Sequence, residues 1–141
     1  MPYGSAPRIF LNYRRDDTQA CAEHLYASLA SRYGIENVFR DEATIKYGED
    51  FPSEIERAVI SSDVVLVLIG RKWLTVRGKD GRRRLDAPGD YVRKEIETAL
   101  SQGLDVIPVL VDGAVIPSRR ELPKSIIPLL TRNACARTAS L

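Results

Sequence analysis

The sequence predicts an α/β fold in which helices cover both faces of a parallel β-sheet. Three apolar runs carry this prediction: RIFLNY (8–13), DVVLVLIG (63–70) and DVIPVLVD (105–112). Each run is short and apolar at consecutive positions, which is typical of strands that are buried on both faces. Helical patterns separate the runs, and an alternation of strands and helices favours a parallel sheet between two helical layers.

Two weaker strands complete the predicted sheet, at NVFR (37–40) and RNACAR (132–137). The five strands predict a flavodoxin-like three-layer sandwich with a five-stranded parallel sheet in the strand order 2-1-3-4-5. In such sheets ligands bind in the crevice beyond the carboxyl ends of the strands. The segments that follow the first three strands, residues 12–17, 40–50 and 71–90, are therefore the candidates for a binding site.

The helices between the strands are predicted from apolar residues that recur with helical spacing. The first covers residues 17–33 and ends at Gly34, the second covers 51–61, and the third covers 90–100 with Asp90 as its N-cap. The alternation also predicts a helix after the last strand, and this last helix is missing from the sequence. We therefore expect a single domain over residues 1–141, with its core at about 8–137, that forms the N-terminal part of a longer protein.

The third helix carries a glutamate that ordinary helix electrostatics does not explain. Glu97 follows Arg93 and Lys94 by one turn, so an exposed ion pair accounts for it. Glu95 has no cation at these spacings and lies at the margin of the apolar stripe, one turn after Tyr91. A carboxylate in this position either has a distant partner or receives a ligand.

Composition excludes several classes of protein. With 44% hydrophobic and 28% charged residues the chain is typical of globular domains, and a formal charge of +2 does not indicate nucleic acid or membrane as a partner. The basic run Arg82–Arg84 is interpreted as a solvated loop, with a phosphate or partner contact as the alternative. Cys21 and Cys135 lack the spacing of a metal site, so we expect reduced thiols and a cytoplasmic protein with no metal and no cofactor.

Familiar catalytic motifs are also missing. The sequence contains no Gly-rich dinucleotide motif and no phosphate-binding P-loop. The single histidine, His24, lies in the middle of a predicted helix and is interpreted as a surface or packing residue, which leaves no Ser/His/Asp or Cys/His set. Glu95 is therefore the best candidate for chemistry.

Three stretches taken together resemble the Toll/interleukin-1 receptor (TIR) domain family, and most closely its bacterial members. RIFLNYRRDD (8–17) resembles the first strand and turn of that family. VFRDEATIKYGEDFPSEIERAV (38–59) resembles the second strand, the BB loop and the helix after it. SSDVVLVLIGRKWL (61–74), followed by DYVRKEIETALSQGLDVIPVLVDG (90–113), resembles the third strand, the helix with the family's catalytic glutamate, and the fourth strand. The resemblance covers nearly the whole chain.

The resemblance implies an activity and places Glu95 in it. Many bacterial, plant and axonal TIR domains cleave NAD⁺ between nicotinamide and ribose, and these enzymes carry a W-x-x-x-E pattern on this helix. The present sequence has Tyr91-x-x-x-Glu95, which keeps the glutamate and replaces the tryptophan by tyrosine. Glu95 is then the catalytic residue that stabilises the ribosyl cation, and Tyr91 stacks on nicotinamide or forms the wall of the pocket.

The same matching implies further substrate-binding residues. Tyr13, Arg14 and Arg15 line the crevice after the first strand, and one of the two arginines is expected to bind substrate while the other forms structural pairs. In the BB loop, Ile45 and Lys46 approach the nucleotide. Asp41 is left with two interpretations, an ion pair with Arg14 or Arg15 and a substrate contact.

We therefore predict an NAD⁺ glycohydrolase that yields nicotinamide and ADP-ribose or a cyclic isomer, as the effector of a bacterial defence or signalling protein. The resemblance implies homotypic TIR–TIR assembly or a filament as the active form, and a C-terminal sensor or regulatory domain. The first alternative is a non-enzymatic adaptor that binds other TIR domains. The second is a nucleotide-binding sensor or a transferase that acts on nucleobases.

Overall fold

The computed structural model describes residues 6–40, 53–132 and 135–137. It contains one parallel sheet with the strand order β2-β1-β3-β4-β5, so the predicted flavodoxin-like architecture is confirmed. In chain order the elements are β1 (Ile9–Asn12), α1 (Arg15–Tyr33), β2 (Val38–Arg40), α2 (Ser53–Ile60), β3 (Val64–Ile69), α3 (Tyr91–Ser101), β4 (Asp105–Val111) and β5 (Cys135–Arg137).

The sheet separates two hydrophobic cores because successive side chains of each strand point to opposite faces. In β1, Ile9 and Leu11 pack with α1 on one face, whereas Phe10 joins the core under α2 and α3 on the other. These three side chains are at most 5% exposed, which explains why the run is apolar at consecutive positions.

Element boundaries differ from the predictions by a few residues. Helix α1 begins at Arg15 rather than at residue 17, with non-helical dihedral angles at Thr18, and it ends before Gly34 as predicted. A feature that the sequence analysis missed is a 3-10 helix, Lys124–Thr131, between β4 and β5. Its buried Ile126 and Leu129 belong to the same core as α3. In the described part of the chain, no helix is long and apolar enough to cross a membrane.

Candidate functional site

The carboxyl end of β1 lies directly beside the predicted catalytic helix. Asn12, the last residue of β1, is fully buried, and its side-chain amide reaches two acceptors on α3. Nδ2 donates to the backbone carbonyl of Val92 at 3.0 Å and to Oε1 of Glu95 at 2.8 Å. Because both partners are acceptors, the NH₂ group of Asn12 must face the helix.

Glu95 is more deeply buried than the sequence indicated. It is 2% exposed, so it lies inside the core and not at its margin, because the end of β1 covers it. Of the two interpretations of this carboxylate, a distant partner is present: Asn12 lies 83 residues earlier. The donor in this contact is a neutral amide, so it orients the carboxylate without neutralising its charge.

A buried ion pair fixes the start of the same helix. Arg14 is 3% exposed, and its guanidinium donates to both carboxylate oxygens of Asp90, at 2.9 and 2.6 Å. Asp90 also accepts a hydrogen bond from the backbone N–H of Arg93, so it is the predicted N-cap of α3. Arg14 therefore takes the structural role that was expected of one arginine, with Asp90 as its partner.

The next turn of α3 carries the predicted surface pair. Arg93 Nε donates to Glu97 Oε2 at 2.9 Å, and the hydroxyl of Ser125 donates to the same oxygen at 2.5 Å. Arg14 and Arg93, the arginines at this end of the helix, are thus engaged by carboxylates other than Glu95. The ion pair between Arg93 and Glu97 that the sequence predicted is confirmed.

The other predicted site residues lie around this centre or outside the described chain. Tyr13 and Tyr91 are half-buried, at the end of β1 and at the start of α3. Arg15 is exposed as the first residue of α1, and is the arginine of the pair that remains at the surface. Asp41, Ile45 and Lys46 lie outside the described residues.

Asp17 is a residue whose role the sequence analysis missed. Its carboxylate accepts hydrogen bonds from the backbone N–H groups of Gly70 and Lys72, both at 2.9 Å, and so ties the end of β3 to α1. A Cβ at Gly70 would lie 2.4 Å from Oδ1 of Asp17, so this contact requires glycine. The glycine directly after a buried strand is the signal that the sequence offered.

Metal chemistry finds no support in the described residues, where no group of three or more His, Cys, Asp or Glu side chains converges. What the arrangement offers is a buried carboxylate at the carboxyl edge of the sheet, oriented by a neutral amide and placed one helical turn after the half-buried Tyr91. A carboxylate of this kind can stabilise a cation that develops on a sugar.

These features define a flavodoxin-like α/β domain with its candidate site between β1 and α3. The model of the TIR domain family matches residues 9–138, and the chain belongs to this family.

The comparison with solved TIR domains supports the fold. The TIR domains of the activated Roq1 resistosome, which directly recognizes the pathogen effector XopQ, superpose with a TM-score of 0.57 at 22% sequence identity, over 89% of this chain and 70% of that chain. The CMP N-glycosidase BcmB of Clostridium botulinum gives a TM-score of 0.49 at 18% identity, over 93% of this chain and 87% of that chain. At this identity the likeness to the Roq1 domains concerns the fold alone.

Proposed function

We propose that this TIR domain is an NAD⁺ glycohydrolase in which Glu95 is the catalytic residue. The observation that carries the proposal is the burial of the Glu95 carboxylate, 2% exposed, against the neutral amide of Asn12 at the carboxyl end of β1. The carboxyl ends of the strands in a parallel sheet of this kind are where ligands bind, so a buried carboxylate that is oriented at this edge lies where a substrate would enter.

The chemistry needs little more than such a carboxylate. The bond between C1′ of the ribose and the pyridinium nitrogen breaks, and its electron pair moves to that nitrogen, so nicotinamide leaves as a neutral molecule. Positive charge develops on C1′ and the ring oxygen, and Glu95 stabilises it electrostatically. A water oxygen then bonds to C1′ and releases one proton to Glu95 or to solvent, which gives ADP-ribose. Attack by a group of the same nucleotide in place of water gives a cyclic isomer.

The surrounding residues take supporting roles in this proposal. Tyr91 lies one turn before Glu95, where its ring can stack on nicotinamide, whereas Tyr13 packs against the core on the α1 face and supports the end of β1 that carries Asn12. Arg15 is exposed and can reach the pyrophosphate. Arg14 pairs with Asp90 and thereby fixes the start of α3. Ile45 and Lys46 complete the nucleotide pocket, and Asp41 contacts either substrate or a cation of this region.

The active form that we propose is an assembly of several TIR domains. The Roq1 structure is an activated resistosome that contains TIR domains, which supports the proposal of an assembled form. For the present chain we propose homotypic assembly, a C-terminal sensor or regulatory domain in the full protein, and a role in bacterial defence or signalling in the cytoplasm.

The proposal is tested with two isosteric variants of α3, at positions 95 and 97, which lie on nearly opposite sides of the helix. Nicotinamide release from NAD⁺ is measured at high protein concentration, with and without a crowding agent, for wild type, Glu95→Gln and Glu97→Gln. Loss of the charge in Glu95→Gln is expected to lower the rate about 100-fold or more, since charge stabilisation in the transition state is of that size. Glu97→Gln removes an equal charge from the surface and is expected to keep the wild-type rate.

Two results would contradict the hydrolase. Equal rates for the two variants would show that the carboxylate at position 95 is not catalytic. Absence of turnover from wild-type protein that light scattering shows to be assembled would favour the adaptor, in which TIR domains bind one another without chemistry.

A further inference from the structure

Positive charge is concentrated in one connection of the chain. Residues 71–84, which follow β3, contain seven Lys and Arg side chains and one Asp, a formal charge of +6, whereas the whole chain carries +2. The rest of the chain therefore carries −4. This connection leaves the carboxyl edge of the sheet next to the candidate site and leads to the start of α3. A charge separation of this size attracts anions to one place on the surface.

The basic residues are held in a short hairpin, residues 76–84, which we call the basic hairpin. Arg77 and Arg83 form an antiparallel bridge, and two backbone hydrogen bonds of 2.8 and 2.9 Å flank it. The tip turns at Gly81, whose φ of 79° favours glycine, and the Asp80 carboxylate accepts the N–H of Arg82 at 2.9 Å. The cations of the hairpin are thus displayed on an ordered frame, which lowers the entropy cost of binding a ligand.

Two of the cations anchor the hairpin to the domain. Arg83 donates to both carboxylate oxygens of Asp86 at 2.8 Å, and this hydrogen bonding lowers the pKa of the Asp86 carboxyl. Arg84 pairs with Asp16, in the first turn of α1, at 3.0 Å. Arg82 differs from both, because its carboxylate partner Asp80 lies at 4.0 Å and its side chain is 59% exposed. Arg82 is therefore the guanidinium best placed to exchange a weak contact for a phosphate.

A groove of about 430 Å³ separates the basic hairpin from the segment that enters α3. Its lining includes four cations and one carboxylate of the hairpin, Lys79, Asp80, Arg82, Arg83 and Arg84, together with Gly89 and Asp90 at the entry to α3. The Asp90 carboxylate does not repel an anion here in the usual way, because Arg14 neutralises it. Since Asp90 precedes Glu95 by five residues, the groove begins about 7.5 Å along the helix axis from the candidate catalytic carboxylate.

We propose that this groove binds the phosphate groups of the nucleotide substrate. The inference rests on the proposed NAD⁺ hydrolysis and extends it, since it identifies the residues that recognise the pyrophosphate. Arg14 cannot serve this purpose because it is buried with Asp90, and Arg15 is a single exposed cation at the start of α1, so the cations of the basic hairpin complete the recognition that Arg15 begins. Arg82 and Lys79 contact the phosphate oxygens, and Arg84 adds long-range attraction.

The test compares two substrates that share the glycosidic bond and differ in phosphate. NAD⁺ carries the pyrophosphate, and nicotinamide riboside carries no phosphate. In the double variant Lys79→Ser/Arg82→Ser, KM for NAD⁺ is expected to rise about 10-fold, as for the loss of charge-assisted hydrogen bonds at an exposed site. We expect kcat for NAD⁺ and both constants for nicotinamide riboside to stay within about twofold, because binding that is equal in ground and transition state changes KM alone.

Arg119→Ser/Arg120→Ser is the matched control. It removes the same charge from an exposed 3-10 helix, Arg119–Glu121, that does not line the groove. Its KM for NAD⁺ is expected to equal that of wild type. An equal rise of KM for both substrates in the hairpin variant would overturn the inference, because the change would then act through the fold of the site. No rise for either substrate would overturn it as well.

Inorganic pyrophosphate separates the failure of this inference from the failure of the hydrolase. Its binding is followed by the backbone amide NMR signals of residues 78–82 in wild type and in the hairpin variant. Binding at these residues without cleavage of NAD⁺ would overturn the hydrolase and leave the phosphate site standing. The opposite outcome is cleavage of NAD⁺ with no change of the hairpin NMR signals on addition of pyrophosphate and no change of KM in the hairpin variant. This outcome would support the hydrolase and overturn the phosphate site. Pyrophosphate-resistant binding of an oligonucleotide by the same cations would overturn it in favour of nucleic acid.

Discussion

The contact between Asn12 and Glu95 predicts an unusual response to a substitution that barely changes shape. In Asn12→Asp, a second carboxylate replaces the amide that donates to Glu95 at 2.8 Å. Two buried carboxylates at this distance cannot both ionise, so they share one proton and the upper pKa of the pair is raised above that of an isolated carboxyl. A fraction of the Glu95 carboxylate is then expected to be protonated at neutral pH.

The magnitude follows from the two hydrogen bonds that the amide donates. One bond, to a charged acceptor, contributes about 1.5–3 kcal/mol, and the other, to the Val92 carbonyl, contributes about 0.5–1.5 kcal/mol. We expect the free energy of unfolding of Asn12→Asp to fall by about 2–4 kcal/mol at pH 7. The folded pair binds a proton more tightly than the unfolded chain, so the loss of stability is smallest in acid. The loss grows as the pH rises from the pKa of the unfolded carboxyls to the raised pKa of the folded pair.

The assay combines urea unfolding with NAD⁺ cleavage between pH 5 and pH 8. Asn37→Asp is the matched control, since the Asn37 amide donates to the Tyr33 carbonyl at 2.7 Å and faces no buried carboxylate in the contacts of the described chain. The control is expected to lose about 1 kcal/mol of stability and to keep the wild-type pH profile of cleavage. A pH profile of Asn12→Asp that coincides with that of wild type would refute the idea that Asn12 orients and preserves the charge of Glu95.

Two further predictions concern the ion pairs around the site. Arg14→Met leaves Asp90 without its cation and is expected to lower the free energy of unfolding in urea by about 3–5 kcal/mol. The control Arg15→Met replaces an exposed arginine and is expected to change it by less than about 0.5 kcal/mol. Equal effects of the two variants would contradict the buried pair. Asp86→Asn is expected to cost less than about 1 kcal/mol, because the pair with Arg83 is partly exposed. The pKa of Asp86 is lowered in the folded state, so this contribution is present above about pH 4 and fades in acid, and a pH-independent difference would contradict it.

Much of the fold was predictable because its signals are local. Runs such as residues 64–69 are apolar at consecutive positions, rich in β-branched residues and short, which is typical of a strand covered on both faces. The distinction between Glu95 and Glu97 was also predictable, since it follows from neighbours within one helical turn.

The partners of the site residues were not predictable from local patterns. Asn12 and Glu95 lie 83 residues apart, and Arg14 and Asp90 lie 76 residues apart. Such pairs depend on which strand end lies under which helix, and periodicity along the chain contains no information on that. The sequence therefore singled out Glu95 as the candidate for chemistry and missed its partner Asn12, and it also missed the pairing of Arg14 with Asp90.

The attachment of α3 to β1 has a consequence for how such a domain changes over time. Asn12 and Arg14 hold the first two turns of α3 through contacts that do not involve the basic hairpin. Insertions or deletions at the tip of the hairpin are therefore expected to leave Glu95 in register with the sheet. The position of this carboxylate depends on a central strand, whereas the hairpin is a surface feature, so the hairpin can vary between related sequences while the carboxylate stays in place.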